Sequence, residues 1–290
     1  MKVLITGCNG QVGHCLVKQL EGKAEVLAVD KAQLDITDQA AVYAIVADFE
    51  PQYIINAAAH TAVDKAEEEV ELSFAINSDG PKYLAEVAEN CGAVMLHIST
   101  DYVFNGMGNE PYQEIDPVGP QGVYGKSKLA GELAVIDACE KHLILRTAWV
   151  FGEHGNNFVK TMLRLAQTRD ELSIVGDQIG GPTYAGDIAA ALIKMLESIE
   201  AGAKPAWGVY HYSGMPYASW YEFAQTIFDK ALSKGVIEHS PCLHSIPTSA
   251  YPTPAKRPSN SRLNCNKIAI QFNVTPSDWV YALNNIEAYK

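Results

Sequence analysis

Five short apolar runs punctuate the first half of the chain, KVLIT, AEVLAVD, QYIINAA, AVMLHIS and HLILRTA. Between them lie segments in which apolar residues return with a helical period, such as Gln11 to Leu20 and Lys82 to Asn90. A strand wetted on one side alternates apolar with polar residues, so runs this continuously apolar suit strands covered on both faces. Covered strands alternating with helices predict βαβ units wound on both sides of a parallel sheet.

After about Trp149 the rhythm changes. NNFVKTMLRLAQ and WYEFAQTIFDKAL read as amphipathic helices, whereas SIPTSAYPTPAKRPSN must be mostly extended loop, because proline fixes φ and lacks a donor N–H. The expected fold class is α/β, a doubly wound parallel sheet with a smaller C-terminal α/β substrate-binding domain. Residues 1–150 form the first unit, joined by a later helix and strand near 186–213, and 151–290 form mainly the second. No repeat or flexible linker separates them.

At 290 residues and 48% hydrophobic, the chain can bury a large core. A formal charge of -12 argues against partners such as nucleic acid or an anionic membrane surface. Cys8, Cys15, Cys91, Cys139, Cys242 and Cys265 show neither Cys-x-x-Cys nor Cys/His zinc spacing, so free thiols are expected. MKVLITG enters directly into a strand with no signal-peptide pattern, and a cytoplasmic protein is expected.

Behind the first run stands TGCNGQVGHCL, with Gly7, Gly10 and Gly13. In a strand-to-helix turn, such glycines permit a tight bend, close backbone approach to a pyrophosphate and close packing of helix on strand. The spacing is one residue longer at its start than Gly-x-Gly-x-x-Gly. Its context, between a predicted strand and helix and followed by Asp30 at the end of the next strand, makes it a Rossmann-type dinucleotide site. Asp30 suits ribose hydroxyls and repels a 2′-phosphate, while Lys31 pulls the other way. Either NADH or NADPH is therefore expected as cofactor.

Ser99, Thr100 and Asp101 close the run AVMLHIS, at the carboxyl strand end where open α/β sheets hold ligands. Tyr124 and Lys128 in VYGKSKLAGE share a helix face. A Tyr-x-x-x-Lys match arises about 0.8 times by chance in this composition, so the pair carries meaning only beside the hydroxyl and the dinucleotide turn. Together they suit ketone reduction: Tyr124 gives its proton to the oxygen, Thr100 holds that oxygen, and Lys128 lowers the phenol pKa from its usual ~10.

TGCNGQVG, STDYVF and YGKSK together resemble the extended short-chain dehydrogenase/reductase superfamily. More narrowly, NAAAHTAVDKAE, STDYVFNG, GDQIGGPT and YPTPAKRPSNSRLN resemble the dTDP-4-dehydrorhamnose reductases, from residue 3 to about residue 280. The resemblance implies reduction of the C4 ketone of dTDP-4-dehydro-β-L-rhamnose by NADH or NADPH. By motif it implies Thr100, Tyr124 and Lys128 as the catalytic set. Gly10, Gln11, Val12, Asp30, Asp35, Ile36, Ala59, His60 and Thr61 would line the cofactor together with Tyr124 and Lys128; Thr100 and Tyr124 would touch the substrate, and Asp101 and Trp149 would face the sugar.

Bland readings stand beside several of these. His60 equally suits a strand-end packing role, Trp149 a core position, and the acidic run DKAEEEVE a solvated helix face. Arg257 is either a diphosphate partner or a surface arginine. Some members of the family hold magnesium at a dimer contact through glutamates, one of them on the first helix; here GHCLVK puts Cys15 at that place. No metal is expected, and a homodimer stays open. The competing functions are a nucleotide-sugar epimerase or dehydratase and a non-catalytic dinucleotide-binding regulatory subunit.

Overall fold

The computed structural model describes residues 1–289. Strands β1 (Lys2–Thr6), β2 (Glu25–Val29), β3 (Tyr53–Asn56), β4 (Val94–Thr100), β5 (His142–Thr147) and β6 (Gly208–His211) form one sheet in the order β6-β5-β4-β3-β1-β2. Every neighbouring pair is parallel.

The apolar runs are explained by where alternate residues go. Val3, Ile5, Ile55, Leu96, Leu143 and Leu145 enter one core, packed by helices α1 (Gln11–Leu20) and α6 (Ala185–Glu200). Leu4, Ile54, Met95 and Ile144 enter the opposite core with α2 (Gln39–Phe49), α3 (Gly80–Cys91) and α4 (Val123–Ala138). With both faces dry, strand positions between them are mostly apolar. Strand order reverses between β1 and β3, and a crevice outside the carboxyl ends at such a reversal is where α/β sheets take ligands.

The remaining chain builds a second layer around its own core of Phe151, Val159, Met162, Phe223, Ile227, Phe228, Trp279 and Leu283. Helices α5 (Phe158–Ala166) and α7 (Trp220–Ser233) supply much of it. Its strands are short pairs, among them Glu171–Val175 with Cys242–Ile246 and Ile179–Gly180 with Asn260–Ser261. Helix α6 and strand β6 return from this half to cover and extend the first sheet.

Candidate active site

The glycine turn lies at the strand-order reversal. Gly7 adopts φ +70°, and a Cβ there would come 2.6 Å from the backbone nitrogen of Ala58, so the β1 turn and the end of β3 touch with no room for a side chain. A Cβ on Gly13 would sit 2.1 Å from the Gly7 carbonyl oxygen, which is the helix-on-strand contact. Gly10 caps α1 without any side-chain hydrogen bond, so the helix N-terminus keeps the bare N–H groups and positive dipole end that suit a pyrophosphate. Val12 is buried beneath the turn, whereas Gln11 Oε1 accepts from Asn157 Nδ2 at 3.0 Å, tying the turn to the second layer.

Asp30 follows β2 and does two things. Oδ1 accepts the backbone N–H groups of Ala32 and Gln33, at 2.9 and 3.1 Å, and Oδ2 accepts from Asn9 Nδ2 at 2.7 Å. Asp35 accepts both the N–H and the hydroxyl of Thr37, which hold its carboxyl below the usual range, and Ile36 is buried against Gly80. Ala59 and Thr61 lie beyond β3 on either side of His60. The His60 ring is held by Ser73 at 3.0 Å and Glu69 at 2.9 Å, and its backbone N–H donates to Asn77 Oδ1.

Lys65, Glu68, Glu69 and Glu71 of DKAEEEVE are exposed as a solvated face requires, yet three carboxylates of the run also make contacts. Glu69 grips His60, Glu67 Oε1 accepts the Val123 N–H at the start of α4 at 2.8 Å, and Asp64 pairs with Arg257. Three carboxylates of one acidic run thus tie it to three different segments, because exposure in sequence terms says nothing about what folds back onto it.

At the carboxyl end of β4, Thr100 Oγ1 donates to Asp101 Oδ1 at 3.1 Å and accepts from the Tyr102 N–H at 3.2 Å. The other Asp101 oxygen accepts from Ser261 Oγ of the second layer. Burial pushes the Asp101 carboxyl up to about 6, against the pull of these donors. Tyr124, on the first turn of α4, meets Tyr102 edge to face with ring centres 5.3 Å apart. It retains some accessible surface, yet enough protein surrounds it that desolvation raises its pKa above the ordinary phenol value; the Thr100 hydroxyl opposes the rise and the Asp101 and Tyr102 charges add to it. The expectation that Lys128 depresses the phenol is corrected here: burial is the largest influence on Tyr124, and Lys128 is not among the groups that shift it. Lys128 is itself buried and pushed down to about 8, the Glu132 charge opposing the fall. Its Nζ donates to the Ile98 carbonyl at 2.7 Å.

Sequence reasoning missed the groups behind this corner. Glu132, one turn after Lys128, is bound by Arg146 of β5 through two bonds of 2.9 and 2.7 Å, with both side chains buried. His97, inside β4, lies 3.4 Å from Lys128 Nζ. A histidine amid VMLHI and an acid four residues after Lys128 were the available signals. No local signal marked Ser261.

Between the layers opens a cavity of about 620 Å³ whose lining includes Tyr102, Trp149, Phe158, Trp220, Tyr251 and Arg257. Trp149 has φ +49°, uncommon for a bulky residue, and stacks on Trp220 at 3.6 Å between ring centres. Arg257 donates to Tyr102 Oη at 3.1 Å besides its pairing with Asp64, so it is neither a lone surface charge nor buried out of reach. A more open hollow of about 880 Å³, lined by residues such as Lys194, Tyr212 and Asn273, contains none of the expected site residues. The smaller cavity adjoins the chemistry and is the better candidate. Among the described residues no cluster of three His, Cys, Asp or Glu is placed to hold a metal ion.

The family model described as "RmlD substrate binding domain" matches residues 1–289. The chain is 51% identical to the dTDP-4-dehydrorhamnose reductase of Aggregatibacter actinomycetemcomitans, over 99% of both chains. A crystal structure of a dTDP-4-dehydrorhamnose reductase from Clostridium acetobutylicum is 42% identical, with a TM-score of 0.92 over 99% of this chain and 98% of that one. The Bacillus anthracis enzyme of the same name, solved in complex with NADP, is 36% identical with a TM-score of 0.91, covering 100% and 99% of the two chains.

Proposed function

The chain belongs to the RmlD substrate-binding family, and from that premise we propose how it reduces the C4 ketone of dTDP-4-dehydro-β-L-rhamnose to dTDP-β-L-rhamnose, the last step of dTDP-L-rhamnose synthesis. The observation that carries the reading is the corner where the Thr100 hydroxyl stands by the Tyr124 phenol, with Lys128 one turn later on the same helix, next to the aromatic cavity.

The bare N-terminus of α1 and the contact between Gly7 and Ala58 fit a dinucleotide pyrophosphate, with Asp30 and Asp35 on the adenosine side and the segment from Ala59 to Thr61 nearer the nicotinamide. The bound dihydronicotinamide supplies the hydride. Tyr124 supplies the proton. A phenol whose pKa burial has raised stays protonated at neutral pH and releases its proton only to a strong base, such as an oxygen acquiring alkoxide character. Thr100 orients that oxygen, and Lys128 supports the charge on Tyr124 after transfer.

The two units divide the labour, residues 1–150 with 186–213 holding cofactor and the rest of 151–290 holding mainly the nucleotide sugar. Trp149 and Trp220 offer aromatic faces, and Arg257 a guanidinium for the diphosphate. Asp101 acts through Thr100 and Ser261 at the edge of the sugar site.

The test follows NADH absorbance with the 4-keto nucleotide sugar, and with the free 4-keto-6-deoxy sugar. Remote binding energy orients the reacting centre, so kcat/KM on the free sugar is expected to fall at least ~10²-fold. Equal efficiency on both sugars would overturn the assignment of the second layer. No consumption of NADH or NADPH with the nucleotide sugar would overturn the reductase reading itself.

A further inference from the structure

A chain of buried polar groups runs from β1 through β3 and β4 to Lys128, and it fixes the position of one proton. Asn56 Oδ1 accepts from Thr6 Oγ1 at 2.6 Å and from the Ala58 backbone N–H at 3.1 Å. A backbone N–H can only donate, so this end of the amide is the oxygen and the other end is the NH₂ group. That NH₂ faces His97 Nδ1 at 3.0 Å, which makes Nδ1 the acceptor. A fully buried imidazole with its lone pair on Nδ1 is neutral and carries its hydrogen on Nε2. Nε2 lies 3.4 Å from Lys128 Nζ.

We propose that His97 is a positioning residue which presents its Nε2–H to the Lys128 nitrogen and thereby sets the pH at which Lys128 takes up its charge. An ammonium has three donors and no acceptor, so an N–H aimed at it is repelled; the neutral amine can accept that N–H while still donating to the Ile98 carbonyl at 2.7 Å. Among the other groups around Lys128, Glu132 on the same helix favours the charge but is bound by Arg146 from β5, Tyr124 is one turn earlier, and Asp101 closes the end of β4. Burial, with the Glu132 charge opposing it, pushes Lys128 down to about 8.

The inference rests on the placing of Lys128 in the reaction site. If the ammonium form supports turnover, kcat/KM in the reductive direction declines as pH rises through the Lys128 pKa. In His97→Gln the carboxamide can turn an oxygen to Nζ, and the basic limb is expected to move up by about one pH unit, a tenfold change in the protonation equilibrium. A folded variant with the wild-type limb would overturn the proposal, because a histidine that merely fills space has no hold on the titration. Should that variant not fold, the unaltered chain still decides: long-range ¹H–¹⁵N correlation of labelled histidine is expected to show His97 as the Nε2–H tautomer from pH 6 to 9. An Nδ1–H tautomer or an imidazolium there sinks the idea. Lys128→Met with undiminished kcat/KM would instead remove the premise about the reaction and leave the tautomer result standing.

Discussion

At the glycine turn, β1 and α1 come together by omitting side chains. Gly7 and Gly13 allow backbone to meet backbone, and Gly10 leaves the helix end uncapped. At the corner of β4 and α4, the same sheet does the reverse, burying Thr100, Asp101 and Lys128 beside the phenol of Tyr124 and meeting their needs with Ser261, Ile98 and His97. The first device depends on shape and helix dipole, which a single added carbon disrupts. The second depends on protonation, so a change of one atom type can disable chemistry without moving the fold.

The largest effect expected from this contrast is that of Tyr124→Phe. It removes a proton donor and no volume of consequence, so kcat should fall ~10²- to 10⁴-fold while NADH affinity, measured by fluorescence titration, stays within about twofold. Turnover at the wild-type rate would mean that the proton comes from elsewhere. Gly13→Ala tests the opposite side. Its Cβ would overlap the Gly7 carbonyl, and relief of such overpacking costs about 1–3 kcal/mol, visible as a lower urea midpoint together with weaker NADH binding. An alanine there with unchanged stability and affinity would show that the turn has slack.

Arg257→Ala is expected to raise KM for the nucleotide sugar about tenfold and to leave the free sugar almost unaffected, if the guanidinium serves the diphosphate. An equal loss on both substrates would assign it a purely structural bond with Asp64.

The buried polar groups also leave a pH signature. His97 is held well below its usual pKa by burial, and His211 is pushed down to about 3, also chiefly by burial. Their stabilisation is present above the unfolded histidine value of ~6.5 and is lost as pH falls, because the unfolded chain takes up protons that the folded chain refuses. Asp101, raised to about 6, acts oppositely: its contribution is present below ~3.9 and is lost as pH rises through 6. Between pH 6 and 4 the three groups together favour unfolding on acidification by roughly one proton, about 1.4 kcal/mol per pH unit. Urea midpoints across this window measure the slope, and His211→Gln should flatten it.

The smallest effect is that of Asp30→Asn. It keeps an oxygen for the N–H groups of Ala32 and Gln33 and removes the charge that repels a 2′-phosphate, so the ratio of NADPH to NADH affinity should rise several-fold. Equal affinity changes for both cofactors would assign Asp30 to the turn alone.

How far the sequence could be read follows from how local each feature is. Helix α1 occupies the residues Gln11 to Leu20 that its period marks, and β1 coincides with KVLIT, since both depend on neighbours a few places away. The placing of Thr100 on the end of a strand, and of Tyr124 with Lys128 on the first turns of a helix, was legible because each sits in a short motif beside an element boundary. The ties across the layers were not: Gln11 to Asn157 spans 146 residues, Asp101 to Ser261 160, and Asp64 to Arg257 193. A polar side chain bound to a distant partner looks, in sequence, like one bound to water. The upward displacement of the Tyr124 phenol was illegible for the same reason, since it depends on how much protein the fold gathers around the ring.

The bond from Ser261 to Asp101 also bears on how the protein comes into being. The two residues are separated by 160 positions, and at roughly 5–20 residues per second a ribosome needs about 8–32 s to add the serine after the aspartate. The five strands up to Thr147 and the glycine turn are available to assemble during that interval, while the carboxyl of Asp101 still lacks its hydroxyl partner. The bond that ties the end of β4 to the second layer therefore waits, during synthesis, for the arrival of a two-residue strand near the far end of the polypeptide.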